Sequence, residues 1–389
     1  MKQKIFLIIL FVVIAGSTAF LTVKNYVVPK IEGENVTLVN IIAPKREVIG
    51  FLPYWLASKA DSDYSKYITN LTYFSLSVNE DGSIQEYTNP GESEPGFYSL
   101  TSGKMDGFLN KAKQKNLDLS VSVFSGDNKI IAKMVENPKE SAQNFLKDIT
   151  PIMKEYDFTE LNLDIEYVGD TTPEMRKKYT QFVKEVRKNL DNQTIRHLSI
   201  DVSASAFVKE TNLVDPDEIA PFVDKIIIMA YDYHYRGSYV TGPVAPGEGA
   251  GIVSEFDTQA AVEAALKVAP AGKIILGAPL YGYEWESIGD NPRSAVVPGS
   301  GLTISNSRAE EFLAECATCS AVFDETDKET HVIYKDQQTG TYHQVFYPNK
   351  QATEYKIELA KKYSLKGMAF WALGYEGKTI LEPLASYHN

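Results

Sequence analysis

The chain has 389 residues, 44% of them hydrophobic, with 39 Lys and Arg against 51 Asp and Glu, a formal net charge of −12. That length holds one large α/β barrel or two ordinary domains around a sizeable core. The acidic balance excludes the clustered Lys and Arg that nucleic-acid binding demands, and it suits a neutral substrate better than an anionic polymer.

At the N-terminus, Lys2 and Lys4 precede a nearly continuous apolar run from Ile5 to Val23, closed by Lys24. The run fits a cleaved signal peptide, with Ser17-Thr18-Ala19 as a small-residue cleavage site. It also fits an uncleaved anchor, because a membrane span takes roughly 20 residues. Under either reading residues 1–24 direct export, and the protein acts at or outside the cell surface, secreted or tethered to the membrane. Residues 25–46, with Pro29 and Pro44 and mixed polarity, read as a linker.

From residue 47 to the C-terminus, short apolar runs alternate with longer amphipathic stretches. The expected strands are 47–53, 72–77, 118–124, 160–166, 197–203, 225–231, 273–279 and 367–372. Helices are expected over 138–156 and 173–192, each with Pro in its first turn, and over 257–268 and 352–363. Strand–helix alternation of this kind implies parallel strands with right-handed crossovers. Eight such units predict a (β/α)8 TIM barrel with its functional site at the C-terminal strand ends. One connector is far longer than the rest. Between strands seven and eight, 321–323, 331–335 and 341–347 read as short antiparallel strands, which predicts a small α+β insertion over about residues 284–350.

The insertion carries the two cysteines, Cys316 and Cys319. They follow a helical run whose Ser307 and Glu310 read as a capping box, not the strand-to-helix turn of a redox pair. A disulfide or two free thiols are both compatible with the spacing. A zinc site would need further ligands such as His331 and His343. His234 is the one histidine near a strand end, so we expect no metal and no cofactor.

The strand ends are chemically rich. Leu161-Asn162-Leu163-Asp164-Ile165-Glu166 places Asn162, Asp164 and Glu166 on one face of strand four, since side chains alternate with period two. Carboxylates so placed are expensive to bury unless paired or working. Strand one ends in Tyr54-Trp55. Strand six ends in Met229-Ala230-Tyr231-Asp232, strand seven runs into Tyr281, Tyr283 and Trp285, and strand eight ends in Phe370-Trp371. All three Trp of the chain thus fall at or just beyond strand ends, and Trp and Tyr around a cleft are what stacking on sugar rings requires. Asp164 and Glu166 sit side by side and cannot flank a glycosidic bond as an ordinary carboxylate pair would. Glu166 at the rim suits a general acid, and repulsion from Asp164 should raise one of the two pKa values. The nucleophile must then come from elsewhere, and a substrate 2-acetamido group can supply it.

These features resemble glycoside hydrolase family 18, the chitinase-like barrels. The family's strand-four signature D-G-x-D-x-D-x-E corresponds here to residues 159–166, with Asp164 and Glu166 matching, and with Thr159, Glu160 and Asn162 departing from it. Met229-Ala230-Tyr231-Asp232 resembles its M-x-Y-D, residues 277–282 its G-x-P-x-Y-G, and residues 50–55 its first strand, whereas 122–126 only loosely matches S-x-G-G. The resemblance implies Glu166 as acid/base, Asp164 as the group that positions an oxazolinium ion, and Tyr231 as a donor to the acetamido carbonyl. It implies sugar contacts from Asp232, Met229, Trp371, Tyr54, Trp55, Tyr281 and Trp285, with Asn162 where Asp is usual. The long Phe51–Trp55 start, the insertion and the Gly367–Gly377 ending look most like the bacterial peptidoglycan- and spore-cortex-type members. The expected partner is a glycan containing β-1,4-linked N-acetylglucosamine, cleaved by a chain acting as a monomer. The alternative is a non-catalytic, lectin-like barrel that binds chitin-type glycans.

Overall fold

The computed structural model describes residues 25–32, 35–42, 46–61, 63–190, 195–252 and 254–388. The chain forms two compact units, divided between residues 45 and 46. In the first, Asn25–Glu32 and Asn35–Ile42 pair as antiparallel strands, with Asn25 opposite Ile42. Both strands fall within the stretch read as a linker. They are rich in Val and Ile, which favour extended backbone. The apolar run 5–23 lies outside the described residues, and among those described no helix is long and apolar enough to cross a membrane.

In the second unit, eight parallel strands close into a barrel. In chain order they are Glu47–Pro53, Asn70–Ser77, Asp118–Ser125, Glu160–Ile165, His197–Ser203, Lys225–Met229, Ile274–Pro279 and Gly367–Trp371. The strand expected to reach Tyr231 stops at Met229, because the chain turns through Asp232 in a left-handed conformation, φ 59°. Helices follow the sequence closely. Pro138–Tyr156 has its expected bounds, and Thr172 caps Pro173–Asn189 by accepting the Met175 N–H at 3.2 Å. Each lays an apolar stripe, such as Phe145, Ile149 and Met153 or Tyr179, Phe182 and Val186, against the outside of the barrel.

The insertion is larger than the sequence suggested. Five antiparallel strands run in the order Leu302–Ser305, Tyr281–Ser287, Tyr342–Tyr347, Glu329–Lys335 and Ala321–Asp324. Its first strand thus begins at Tyr281, two residues after barrel strand seven ends. The helix Asn306–Glu315 is capped by Ser305, whose Oγ accepts the Arg308 N–H, and not by a Ser307–Glu310 box. Glu310 instead accepts the Lys378 N–H at 2.8 Å. Cys316 and Cys319 form a disulfide just beyond that helix.

Register divides the barrel interior into layers. At the N-terminal end, Lys225 Nζ lies 2.5 Å from both Glu47 Oε2 and Glu160 Oε2. Asn70 Nδ2 also donates to Glu160 Oε2 at 3.1 Å. Above this layer, Asn162 stands beside Ser122 and Ser199. Higher still, toward the strand C-termini, Asp164 stands beside Phe124, and Asp201 beside Ile227. The opposite side of the interior is apolar, formed by Ile49, Phe51, Phe74, Ile227, Ile275 and Ala369.

Lys225 and Lys366, the latter 2.9 Å from Glu47 Oε1, offset the charges of the buried Glu160 and the partly exposed Glu47. For Glu47, burial pushes the pKa up, but the Lys225 charge prevails and holds it below the usual range. Replacing Lys225 with Met should destabilise the barrel by about 3–5 kcal/mol, the range for leaving a buried charge unpaired. Urea unfolding checks this, and adding Glu160→Gln to the variant should recover part of the loss.

Candidate active site

At the C-terminal end of the barrel lies a cavity of about 240 Å³. Strand four brings Asp164 and Glu166 to it, strand five Asp201, strand six Met229, Tyr231 and Asp232, and the segment from strand seven onward Gly277 and Tyr281. Aromatic rings make the other wall. Trp371 meets Phe74 edge-on with centroids 4.5 Å apart, and Trp55, Phe51 and Phe124 complete the cluster. Trp55 is 47% exposed, a flat ring presented at the mouth.

Gly277 makes the floor possible. A Cβ there would lie 2.4 Å from the Ile228 carbonyl oxygen and 3.3 Å from the Tyr231 ring. Any side chain would force the strand-six backbone at Ile228 to shift and crowd the Tyr231 ring.

The carboxyl groups are arranged in depth. Asp164 and Asp201 are almost wholly buried. Burial pushes both pKa values up strongly, and the neighbouring charges, Glu166 above all, push further. Asn162 Nδ2 donates to Asp201 Oδ1 at 3.0 Å and to Ser199 Oγ at 3.2 Å. Glu166 stands open to solvent at the mouth with protein around most of its carboxyl. Burial and then the Asp232 charge raise its pKa. Asp232 accepts hydrogen bonds from the Tyr281 and Tyr283 hydroxyls at 2.5 and 2.9 Å. These bonds offset part of the upward push of burial on Asp232. Asp164 Oδ1 and Asn162 Oδ1 are buried and, among the described residues, have no hydrogen-bond partner.

The structure thus brings together Asp164, Glu166, Met229, Tyr231, Asp232, Tyr281, Trp55 and Trp371. It does not bring Trp285, Tyr54 or Asn162 to the cavity surface. Trp285 is completely buried, packed on Tyr283 and Phe346 with centroids 5.7 and 6.2 Å apart. The strand that carries it belongs to the insertion sheet and turns its ring into that sheet's core. Tyr54 sits in a 3-10 turn, its ring edge-on to Trp55 at 4.9 Å and packed on the outer core. Asn162 lies one layer below the cavity and faces Asp201.

Asp201 and the phenylalanines were missed. The signal for Asp201 was present, because Ser199, Asp201 and Ser203 repeat on strand five the period-two polar face of strand four. Phe51, Phe74 and Phe124 resemble ordinary core until the barrel closes.

Sequence comparison agrees with this architecture. Residues 47–376 match the family model described as glycosyl hydrolases family 18, and the chain belongs to that family. Over 328 residues it is 23% identical to the cortical fragment-lytic enzyme of Bacillus subtilis, covering 81% of this chain and 67% of the relative. It is 26% identical to the class V chitinase of Arabidopsis thaliana over 288 residues, covering 69% of this chain and 71% of the relative. Among solved structures, the group IV chitinase of Ostrinia furnacalis bound to allosamidin superposes with a TM-score of 0.74 at 22% identity, covering 87% of this chain and 97% of that one. The spore cortex-lytic enzyme of Bacillus megaterium superposes with a TM-score of 0.69 at 21% identity, covering 91% and 77%. The protein is a glycosidase of that family.

The raised carboxyl pKa values make stability depend on pH. A carboxyl that holds its proton more tightly when folded favours the folded state at low pH. That contribution is lost as pH rises from the ordinary carboxylate value through the elevated one. Asp201→Asn keeps the acceptor for Asn162 and removes the titration. Thermal unfolding should show the native protein losing stability from pH 5 to pH 8, and the variant losing less, with the higher Tm at pH 8.

Proposed function

We propose that this protein hydrolyses the β-1,4 bond that follows an N-acetylglucosamine residue, with retention of configuration, using the substrate's own acetamido group as nucleophile. One observation carries the reading. Asp164 presents a buried carboxyl oxygen with no partner among the described residues, two positions before the acid candidate Glu166, which follows the last residue of that strand. A carboxyl held in this way suits a donor brought by the ligand, and the N–H of a 2-acetamido group is such a donor.

The steps then balance as follows. Glu166, protonated because its pKa is raised, donates its proton to the glycosidic oxygen as the C1–O bond breaks. The acetamido carbonyl oxygen bonds to C1, forming an oxazolinium ion whose N–H faces Asp164. The Tyr231 hydroxyl, beside Asp164 in the cavity, donates to that carbonyl oxygen and holds it for attack. Glu166, now a carboxylate, takes a proton from water. The water oxygen attacks C1 as that proton leaves, the C1–O bond to the oxazolinium oxygen breaks, and its electron pair restores the neutral acetamide. Neither remaining carboxyl is well placed for direct attack. Asp232 is engaged by two tyrosines, and Asp201 lies deeper, bonded to Asn162. Trp371 and Trp55 offer apolar faces to the sugar rings.

The likeness to cortical fragment-lytic enzymes supports peptidoglycan glycan strands as substrate, and the likeness to chitinases supports chitin oligomers. We further infer that the apolar run 5–23 exports the chain and leaves it secreted or tethered at the cell surface, where either glycan is met.

Glu166→Gln should lower kcat at least a hundredfold on chitin oligosaccharides or purified peptidoglycan, about the scale of one general acid. Mass spectrometry of the products checks this. Retained binding without cleavage by the native chain would favour the lectin-like alternative. The native rate should fall as pH rises through the elevated pKa of Glu166, and the first-formed product should be the β-anomer by NMR.

A further inference from the structure

The active-site cavity does not end in one groove. Two further cavities, of about 310 and 290 Å³, adjoin it, and Met229 lines all three. The second shares Glu166 and Asp201 with the first. The third shares Tyr231 and Asp232 with the first. The second and third share Ser203, Ser205 and Lys209. A general acid stands beside the oxygen of the departing sugar, so the second cavity, which Glu166 also lines, is where that sugar belongs. A linear chain needs one exit. Here the leaving side forks, with the Ser203–Ser205–Lys209 wall at the branch.

Charge singles out one residue of that wall. The three cavities are lined by the carboxyl groups of Asp164, Glu166, Asp201, Asp232 and Asp170, and Lys209 is the one Lys or Arg among their lining residues. Lys209 is exposed, and among the described residues its ammonium group forms no ion pair. The third cavity adds apolar surface from Val208, Phe256, Ala260 and Ala261. An anionic branch on the leaving sugar would meet repulsion from every ionised group here except Lys209.

Resting on the hydrolase reading above, we propose that Lys209 is a specificity residue for a leaving hexosamine whose O3 carries a lactyl ether with a free carboxylate. The sugar ring occupies the second cavity, the lactyl methyl faces the apolar wall of the third, and the carboxylate pairs with Lys209 at the fork. In intact peptidoglycan that carboxylate is amide-linked to a peptide. The reaction class that must supply this substrate is therefore hydrolysis of the lactyl–peptide amide.

The experiment compares kcat/KM on amidase-stripped glycan strands with kcat/KM on chitotetraose. In Lys209→Gln the ratio of stripped strand to chitotetraose should fall about tenfold, the lower end for a charged hydrogen bond open to solvent. The fall should appear in KM, deepen in Lys209→Glu and be reversed in Lys209→Arg. An unchanged ratio, or an equal loss on both substrates, would overturn the proposal. In parallel, calorimetry on the Glu166→Gln background measures binding of the same two glycans with and without Lys209→Gln. If the native chain cleaves neither glycan, the hydrolase reading fails by itself. The binding ratio then decides the role of Lys209, supporting it if the ratio falls and overturning it if not.

Discussion

Carboxyl groups occupy the interior of this barrel at two levels, and only the lower level has a cation. At the N-terminal end, Lys225 joins Glu47 and Glu160, and Lys366 at Glu47 completes the neutralisation. At the C-terminal end, Asp164 and Asp201 face an apolar wall with one amide, Asn162, between the levels. An unneutralised buried carboxylate is costly, so the upper groups hold protons at pH values where free ones do not. The lower layer fixes strands one, four and six where a side chain in the wrong register would be most expensive. The upper layer inherits that register, and its unusual protonation follows from position.

Asn162 governs how this is divided. A carboxylate in its place would add a further negative charge among Asp164, Asp201 and Glu166. The amide instead turns its N–H groups toward Asp201 and Ser199, and leaves its carbonyl oxygen and Asp164 Oδ1 both without donors. Burial, and then the Glu166 and Asp201 charges, push the Asp164 pKa strongly up.

The fold was legible wherever one period governed a segment. Strand 47–53 and helix 138–156 have the expected bounds, because alternation, a Pro in the helical first turn and clear stop signals agree there. Glu166, Asp164 and Asp232 could be read because polar residues at strand ends stand out from apolar runs. Trp285 and Tyr54 misled because proximity to a strand end does not fix which way a ring turns. The backbone after strand seven enters a second sheet, and strand pairing across 281–287 and 342–347 sends Trp285 inward. Asp201 escaped notice although Ser199, Asp201 and Ser203 share a period-two polar face, because one acid between two serines stands out less than Asp164 and Glu166 together.

The insertion sheet enters from strand seven at Leu280 and returns to the barrel through the helix Lys350–Lys362. Its grip on the barrel includes Glu329, which accepts the Val244 and Ala245 N–H groups at 3.1 and 2.7 Å in the loop after strand six. Strands four and five, which carry the acid and the buried carboxyls, pair with neither strand seven nor the insertion. Beyond Tyr281 and Tyr283, which hold Asp232, this wall of the cleft can therefore be lengthened, trimmed or exchanged as a cassette while the proton-handling strands keep their register. A lineage could change which glycans fit against this wall without rebuilding the chemistry on the far side.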